Sequence, residues 1–319
     1  MSIPSRFVFH QKSGLVGLGR IAVASATAPL RRLLGGGEEG DESSREFRKK
    51  LPAPSPDLVR RYLEHLGVDP EDYAGEIPPH LFPQWTFDLL GKALSHLTYP
   101  LHEVVNGGCR LEINDAIAAG QRLTASAQLV EVKKLARRIR FHLVIKTGPQ
   151  SAPDAVVAHM YNVLVRRTSV EPESGGGDEE ESDDRDKGPA FVGADARELE
   201  RWVLSEDAGL DFAKLTGDFN PIHWLAPAAR AFGFENTILH GFSTMARAYE
   251  GLVSGYLEGE ERISVLDVRF TKPLVLPHDV GLYVESSEEG DSTEVFVGDR
   301  PGDPAYLIGD VETSRGDST

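Results

Sequence analysis

The sequence is poor in cysteine and in basic residues. Cys109 is the single cysteine among 319 residues, which excludes an internal disulfide and a zinc site built on several cysteines. The 34 Lys and Arg residues face 50 Asp and Glu, giving a formal net charge of −16. This charge argues against nucleic acid as a partner. The lone thiol agrees with a reducing compartment, and we expect a cytoplasmic protein.

Long apolar runs are also missing. The best candidate, Leu15 to Leu30, contains Arg20 and is too short to cross a membrane. Residues 1–35 carry five basic residues and no acidic one, without the order typical of a signal peptide. An amphipathic helix here would either rest peripherally on a membrane surface or pack on the protein itself. We therefore interpret residues 1–50 as a basic, partly flexible N-terminal extension.

Acidic residues are concentrated near the middle of the chain. Residues 171–187 hold nine acidic residues against two basic ones and no large apolar residue. Such a segment cannot bury enough apolar surface to join a core. We predict that residues 169–190 form a disordered acidic linker, either a solvated spacer or a docking site.

Both sides of this linker follow the same order of a helix and then several strands. The first half predicts helices over Ser55–Leu66, with Ser55 as a cap, and over Trp85–Leu97. Its strands are predicted over residues 109–113, 124–130, 139–146 and 156–165. The second half predicts a buried helix over Phe242–Leu252, followed by strands over residues 263–265, 268–277, 281–285, 293–297 and 306–311. The repeated order indicates an internal duplication, with units at residues 51–168 and 191–319.

A basic run, residues 133–138, falls between two predicted strands of the first half. It could contact the phosphates of coenzyme A or of a pantetheine arm. A charged hairpin tip would have the same composition.

The most informative segment runs from Asp211 to Gly251. Gly217 and Asn220-Pro221 favour turns, so Asp218 and His223 lie on a bent backbone that can aim both side chains into one space. A carboxylate and a neutral imidazole can together hold one water and move its protons. The same residue types are also typical of an Asx-turn and of a packed histidine.

His240 and Gly241 open the predicted buried helix. Gly241 leaves room for close backbone approach. The first N–H groups of a helix have no internal partners and favour negative charge, so a thioester oxygen that gains charge would be stabilised there. A buried helix entered through a glycine turn, with no ligand, would have the same sequence.

Three segments of the second half together resemble the hydratase motif of the MaoC-like family, which includes (R)-specific enoyl-CoA hydratases and dehydratases. They are Thr216–His223, Ala231–Phe234 and Ile238–Gly241. Residues 268–277 resemble the strand that follows the central helix in that family. The resemblance covers the chain well from about residue 195 onward and the first half only in outline.

This resemblance implies an α+β fold of two hotdog units in one chain, each a central helix wrapped by an antiparallel sheet. It makes Asp218 and His223 the catalytic pair, with a backbone N–H at or near Gly241 on the thioester carbonyl. Asn220 would orient the loop. The substrate-binding set comprises Asn220, Trp224, His240, Phe242 and Ser243. Trp224, Leu225 and Phe242 depart from the family's pattern.

The implied activity interconverts a trans-2-enoyl thioester and a (3R)-3-hydroxyacyl thioester, with no metal or redox cofactor. The substrate brings its own coenzyme A or carrier-protein phosphopantetheine. A thioesterase of the same fold and a non-catalytic acyl-thioester binding protein remain alternatives. The first half lacks the motif, so we expect it to complete the sheet and to open a tunnel for an acyl chain. Either a monomer or a homodimer fits this organisation.

Overall fold

The computed structural model describes residues 3–11, 16, 19, 45–73, 75–135, 138–165, 190–286 and 292–315. Its α-helices are α1 (Pro56–Leu66), α2 (Pro83–Leu94), α3 (Ala208–Thr216), α4 (Ala226–Ala231) and α5 (Gly241–Gly255). Short 3-10 helices span Ser5–Gln11, Pro70–Tyr73, Pro79–Leu81, Leu101–Glu103 and Pro221–His223. The strands are β1 (Phe47–Leu51), β2 (Val105–Ile113), β3 (Leu123–Lys134), β4 (Arg138–Pro149), β5 (Val156–Val165), β6 (Arg197–Leu204), β7 (Glu261–Phe270), β8 (His278–Ser286), β9 (Thr293–Gly298) and β10 (Leu307–Arg315).

These strands form one antiparallel sheet in the order β1-β3-β4-β5-β2-β7-β10-β9-β8-β6. From each outer edge of the sheet to its middle, the two halves have the same strand order. The first strand of the half is followed by its third, fourth, fifth and second strands. The two halves meet where β2 pairs with β7, with Leu111 opposite Leu266. Identical topology on the two sides of that junction is what an internal duplication produces.

Each half packs a helix against its part of the sheet. Helix α2 contacts β1 and β3, whereas α5 contacts β6, β7 and β9. The side chains of Met245, Ala248 and Leu252 in α5 are fully buried. Their spacing of three and four residues places them on one helix face, as the sequence pattern predicts. Helix α5 is therefore the central helix of the second half.

The helix predictions are confirmed with small changes at the ends. Helix α1 begins at Pro56 and ends where Gly67 adopts a left-handed backbone with φ of 88°. The side chain of Ser55 makes no capping hydrogen bond, so that part of the prediction is wrong. Helix α2 begins at Pro83 and ends at Leu94, earlier at both ends than Trp85–Leu97.

One strand prediction is wrong. Strand β7 ends at Phe270, and residues 271–277 form a loop instead of continuing as a strand to Pro277. Pro273 and Pro277 lack the N–H that a sheet ladder requires. The loop instead pairs with the segment before α5, because the Leu239 N–H donates to the Leu274 carbonyl at 2.8 Å. The remaining predicted strands fall within the observed ones, except that the last begins at Leu307 and not at Tyr306.

Several predictions concern segments outside the described residues. They include residues 169–189 of the acidic linker and all of the apolar stretch Leu15–Leu30 except Val16 and Gly19. The basic run, residues 133–138, spans the connection between two paired strands, since β3 ends at Lys134 and β4 begins at Arg138. In the described part of the chain, no helix has the length and apolar character needed to cross a membrane.

We predict that Leu111→Ala destabilises the whole chain. Leu111 and Leu266 face each other in register at the junction and are both fully buried. Removing three buried carbons there should lower the free energy of unfolding by about 2–5 kcal/mol, measured by urea denaturation. Val203→Ala is the control, because Val203 is 86% exposed and should change stability by less than about 0.5 kcal/mol. A loss no larger than that of the control would show that the junction is not a packed core.

Candidate active site

The predicted acid/base segment is a tight turn between two helices. Helix α3 ends at Thr216, and Gly217 takes a left-handed backbone with φ of 86°. Asn220 then caps the 3-10 turn Pro221–His223, because its side-chain oxygen accepts the Ile222 N–H at 3.4 Å. The Asn220 N–H in turn donates to the Asp218 carboxylate at 3.3 Å. These turn residues fix the positions of Asp218 and His223 as the sequence indicates.

His223 is held by a backbone carbonyl. Its Nδ1 lies 2.8 Å from the carbonyl oxygen of Ile238. Because a carbonyl can only accept, Nδ1 carries the proton, and Nε2 of the neutral ring is left as an acceptor. Behind the ring, Gly209 of α3 touches the His223 backbone, and a Cβ there would lie 2.0 Å from the His223 carbonyl oxygen. His223 is therefore fixed in position and in tautomer.

His240 fastens the turn from the other side. It stands at the N-cap of α5, and its Nε2 donates to the backbone carbonyl of Asp218 at 2.9 Å. Its ring stacks on that of His223 with 3.7 Å between centroids. The same Nε2 lies 3.9 Å from the Asp218 carboxylate. The two histidines thus tie the turn and the start of α5 into one unit.

Asp218, His223 and His240 converge on one small volume. One ligand-type atom of each lies within 4.8 Å of those of the other two. Carboxylates and imidazoles can hold a water, and they are also the ligand types that bind divalent metals. The cluster therefore has the geometry for acid/base work and the residue types for a metal ion.

Burial shifts the pKa of all three groups toward their uncharged forms. It raises the pKa of Asp218, against the opposing effects of the nearby His223 and the Asn220 N–H. It lowers the pKa of His223, against the attraction of Asp218. It holds the pKa of His240 well below the usual range, with the neighbouring His223 acting in the same direction. At neutral pH both imidazoles are consequently uncharged.

The N-terminus of α5 adjoins this cluster. The N–H groups of Gly241 and Phe242 have no partners within the helix and are available to a ligand oxygen, whereas those of Ser243 and Thr244 donate to the His240 carbonyl. Three buried side-chain atoms nearby also lack hydrogen-bond partners among the described residues: Thr237 Oγ1, His240 Nδ1 and Ser243 Oγ. Orphaned buried polar atoms are rare in native proteins, and a bound ligand or water is one explanation for them. The start of α5 is therefore equipped to bind a polar group.

The other predicted site residues occupy different surroundings. Trp224 is 38% exposed, and its indole N–H donates to the Phe219 carbonyl at 3.0 Å. Phe242 is buried, with its ring 5.3 Å from Phe82 and 6.5 Å from Phe270. Trp224 therefore lies at the protein surface, whereas Phe242 joins α5 to the first half of the chain.

Sequence reasoning missed two residues that shape this site. Gly209 permits the contact between α3 and the His223 backbone, and Ile238 supplies the carbonyl that fixes the imidazole. The sequence did carry a signal for Gly209, because a glycine within a helical pattern indicates close packing. The role of Ile238 had no signal, because a backbone carbonyl leaves no mark on residue type.

Comparison with known sequences finds a family match in the second half of the chain. Residues 192–300 match the family described as MaoC like domain. A 3-hydroxyacyl-thioester dehydratase X of Mycobacterium tuberculosis is 37% identical over 79 residues, which cover 25% of this chain and 27% of that protein. A probable enoyl-CoA hydratase 2 of Dictyostelium discoideum is 22% identical over 194 residues, covering 60% of this chain and 64% of that protein. The matches thus span less than two thirds of either relative.

Comparison with solved structures establishes the fold. HtdX of Mycobacterium tuberculosis aligns with a TM-score of 0.64 at 20% identity, covering 84% of this chain and 99% of that structure. A second protein of that organism, described as a double hotdog fold, aligns with a TM-score of 0.51 at 14% identity, over 85% of this chain and 96% of that one. The predicted α+β fold of two hotdog units is confirmed.

We predict that Gly241→Ala disturbs the start of α5. An added Cβ would lie 2.7–2.9 Å from three atoms of the Phe270 ring. Displacing that ring should cost about 1–3 kcal/mol in the free energy of unfolding, measured by urea denaturation. Gly255→Ala in the same helix is the matched control, since its Cβ would meet Leu199 at 3.5–4.0 Å, an ordinary contact. Equal stability changes in the two variants would contradict the close approach of Phe270.

We predict that Asp218→Asn raises thermal stability at neutral pH. The pKa of Asp218 is higher in the folded chain than its ordinary value, so ionising this carboxyl costs folding free energy. That cost is present at neutral pH and disappears as the pH falls through the folded pKa toward the ordinary aspartate value, about 3.9. The gain in melting temperature over the wild type should therefore shrink with acidification. A variant less stable than the wild type at pH 7 would contradict the direction of the shift.

Proposed function

We propose that this chain, whose residues 192–300 belong to the MaoC like domain family, is a hydro-lyase that acts on acyl thioesters. The reaction adds water across the double bond of a trans-2-enoyl thioester to give a (3R)-3-hydroxyacyl thioester, or removes it. The convergence of Asp218 and His223 next to the N-terminus of α5 carries this proposal. The names of the two sequence relatives, a dehydratase and a probable hydratase, support it.

Asp218 and His223 are suited to hold the reacting water. The carboxylate accepts one water hydrogen, and the unprotonated Nε2 of His223 accepts the other. Nδ1 of His223 is already engaged by the Ile238 carbonyl, so the ring cannot turn to offer its other nitrogen without losing that bond. The water oxygen is thereby left with free lone pairs for attack on the β-carbon.

The proton transfers follow from this placement. In the hydration direction, Asp218 takes a proton as the water oxygen bonds to the β-carbon. The electron pair of the double bond moves to the α-carbon and thioester oxygen. The proton taken by Asp218 then passes to Nε2 of His223 and on to the α-carbon, so both side chains return to their starting states. Dehydration runs through the same steps in reverse. The raised pKa of Asp218 favours this role, since a stronger base accepts a proton more readily.

The N-terminus of α5 would stabilise the oxygen that gains negative charge. The N–H groups at Gly241 and Phe242 belong to the first helical turn and point out of the helix. The Ser243 hydroxyl, buried and without a partner among the described residues, is a further donor at the same end. Preorganised donors of this kind contribute about 10²–10³ in rate when aimed at the transition-state oxygen.

We propose further that these side chains complete the chemistry without a metal or redox cofactor. The coenzyme A or phosphopantetheine group would arrive as part of the substrate. Because Asp218, His223 and His240 are ligand types for divalent metals, added Zn²⁺ should compete with the water and inhibit. Activity should survive treatment with a chelator, and loss of activity reversed by a metal ion would overturn this part of the proposal.

The central experiment follows the absorbance of the conjugated enoyl thioester with crotonyl-, octenoyl- and dodecenoyl-CoA. The wild type should remove that absorbance, and the chirality of the hydroxyacyl product, resolved by chiral chromatography, should be (3R). Asp218→Asn and His223→Ala should each lower kcat/KM by about 100-fold or more, because each removes one partner of the water.

Asp279→Asn is the matched control for the charge change. Asp279 lies in β8 with a side chain 60% exposed, so its variant should keep full activity. Full activity in Asp218→Asn, judged folded by its melting curve, would contradict the assigned base. Free thiol release without hydration would instead indicate a thioesterase, and thioester binding without turnover would indicate a binding protein.

A further inference from the structure

A cavity lies between the two halves, away from the Asp218 cluster. Its volume is about 880 Å³. The end of α1 and the following loop form one wall, and the C-terminal part of α5 forms the other. Cavities of this size hold small organic ligands.

The cavity is strongly acidic. Of its 25 lining residues, seven are Asp or Glu, and Arg262 is the single basic one. Arg262 is itself paired with Glu76 at 3.6 Å, with a side chain 65% exposed at the rim. Carboxylates that outnumber basic groups in a concave surface concentrate a negative potential, which attracts cations.

A buried network forms its deepest part. One carboxylate oxygen of Glu250, Oε1, accepts hydrogen bonds from the Tyr73 hydroxyl and from His80 Nε2, both at 2.7 Å. The other nitrogen of His80 lies 2.9 Å from the Tyr62 hydroxyl. Glu250 is only 6% exposed and is held rigidly through this single oxygen.

Two polar atoms of the same wall have no hydrogen bond to any described residue. They are the second Glu250 oxygen, Oε2, and the hydroxyl of Tyr249, a side chain that is 8% exposed. Burial raises the pKa of Tyr249, so its hydroxyl stays protonated. Both residues line the cavity. Polar atoms of cavity-lining residues that have no protein partner are free to hydrogen-bond to a ligand that enters the cavity.

The remaining lining gives the chemical class of the ligand. Val68, Ile77, Ile113, Val253 and Leu257 provide apolar surface around the polar end. A metal ion would need a cage of oxygens and would leave this apolar surface unused. A primary ammonium group carries three N–H donors and one positive charge, which match the free carboxylate oxygen and the phenol.

We propose that this cavity binds a primary organic ammonium ion with an apolar body, its head on Glu250 and Tyr249. The free Glu250 oxygen accepts one N–H and the Tyr249 oxygen another. The aliphatic body packs on the valines and isoleucines of the opposite wall.

The cavity is separate from the acid/base cluster. Glu250 follows Gly241 by nine residues in α5, roughly 13 Å along the helix axis. The rings of Phe212, Tyr62 and His80 pack in sequence between His240 and the cavity wall, with centroids 5.0, 6.2 and 5.5 Å apart. The ammonium proposal is therefore independent of the proposed hydro-lyase activity.

Isothermal titration calorimetry with hexylammonium, hexanol and hexanoate on the full chain tests this assignment. The three probes share a body length and differ in the charge of the head. Hexylammonium should bind one per chain with a Kd on the order of 0.1–1 mM, in the range for so small a ligand. Hexanoate should show no binding, and hexanol should bind at least about tenfold more weakly, since it lacks the charge. No heat from hexylammonium, or equal affinity for hexanol, would overturn the proposal.

Variants separate this site from a general attraction of cations to an acidic protein. Glu250→Gln keeps an oxygen for Tyr73 and His80 but loses the charge, and should weaken hexylammonium by about tenfold or more. Tyr249→Phe removes a hydroxyl that serves no other described residue, and should weaken it by about threefold to tenfold. Glu206→Gln, an exposed carboxylate outside the cavity, is the matched control and should leave binding unchanged. Equal weakening by Glu206→Gln and Glu250→Gln would show nonspecific attraction and contradict the site.

Discussion

Two hydrogen bonds from imidazoles to backbone carbonyls organise the candidate active site. His223 donates to Ile238, in the segment before α5, and His240 at the start of α5 donates to Asp218 in the turn. The bonds are reciprocal, since each joins one segment to the other. Because a carbonyl only accepts, they also fix where the proton sits on each ring. The positions of the two imidazoles and the nitrogen that carries the proton on each therefore depend on the same two hydrogen bonds.

This arrangement costs folding free energy. Burial disfavours the charged forms of Asp218, His223 and His240, and the two rings lie 3.7 Å apart, where two positive charges would repel. The site remains intact because both rings stay neutral and each has one nitrogen paired with backbone. A buried carboxylate beside neutral imidazoles is a stronger base than one in water, so the same desolvation that lowers stability makes Asp218 more reactive.

Sequence patterns were sufficient for features encoded by residue type. Glycine and proline marked the turn around Asp218, and three- and four-residue spacing marked the buried face of α5. The patterns failed where backbone hydrogen bonds, and not residue types, determined the structure. Residues 271–277 look like a strand but pair as a loop with the segment before α5, and the carbonyl of Ile238 could come from any residue. His80 was a lone histidine in the sequence, because its partner Glu250 lies 170 residues away.

That long-range pair also connects the two halves, which share a topology but not the Asp218 motif. The first half has no copy of the Asp218 turn, yet it supplies Phe82 to the start of α5 and His80 to its middle. A helix that is clamped at both places cannot shift along its axis without breaking a buried carboxylate–imidazole contact. The N-terminus of α5 is thus held against the Asp218 turn by residues of the first half. The geometry of the candidate site therefore depends on packing residues of a half that has no copy of the Asp218 turn itself.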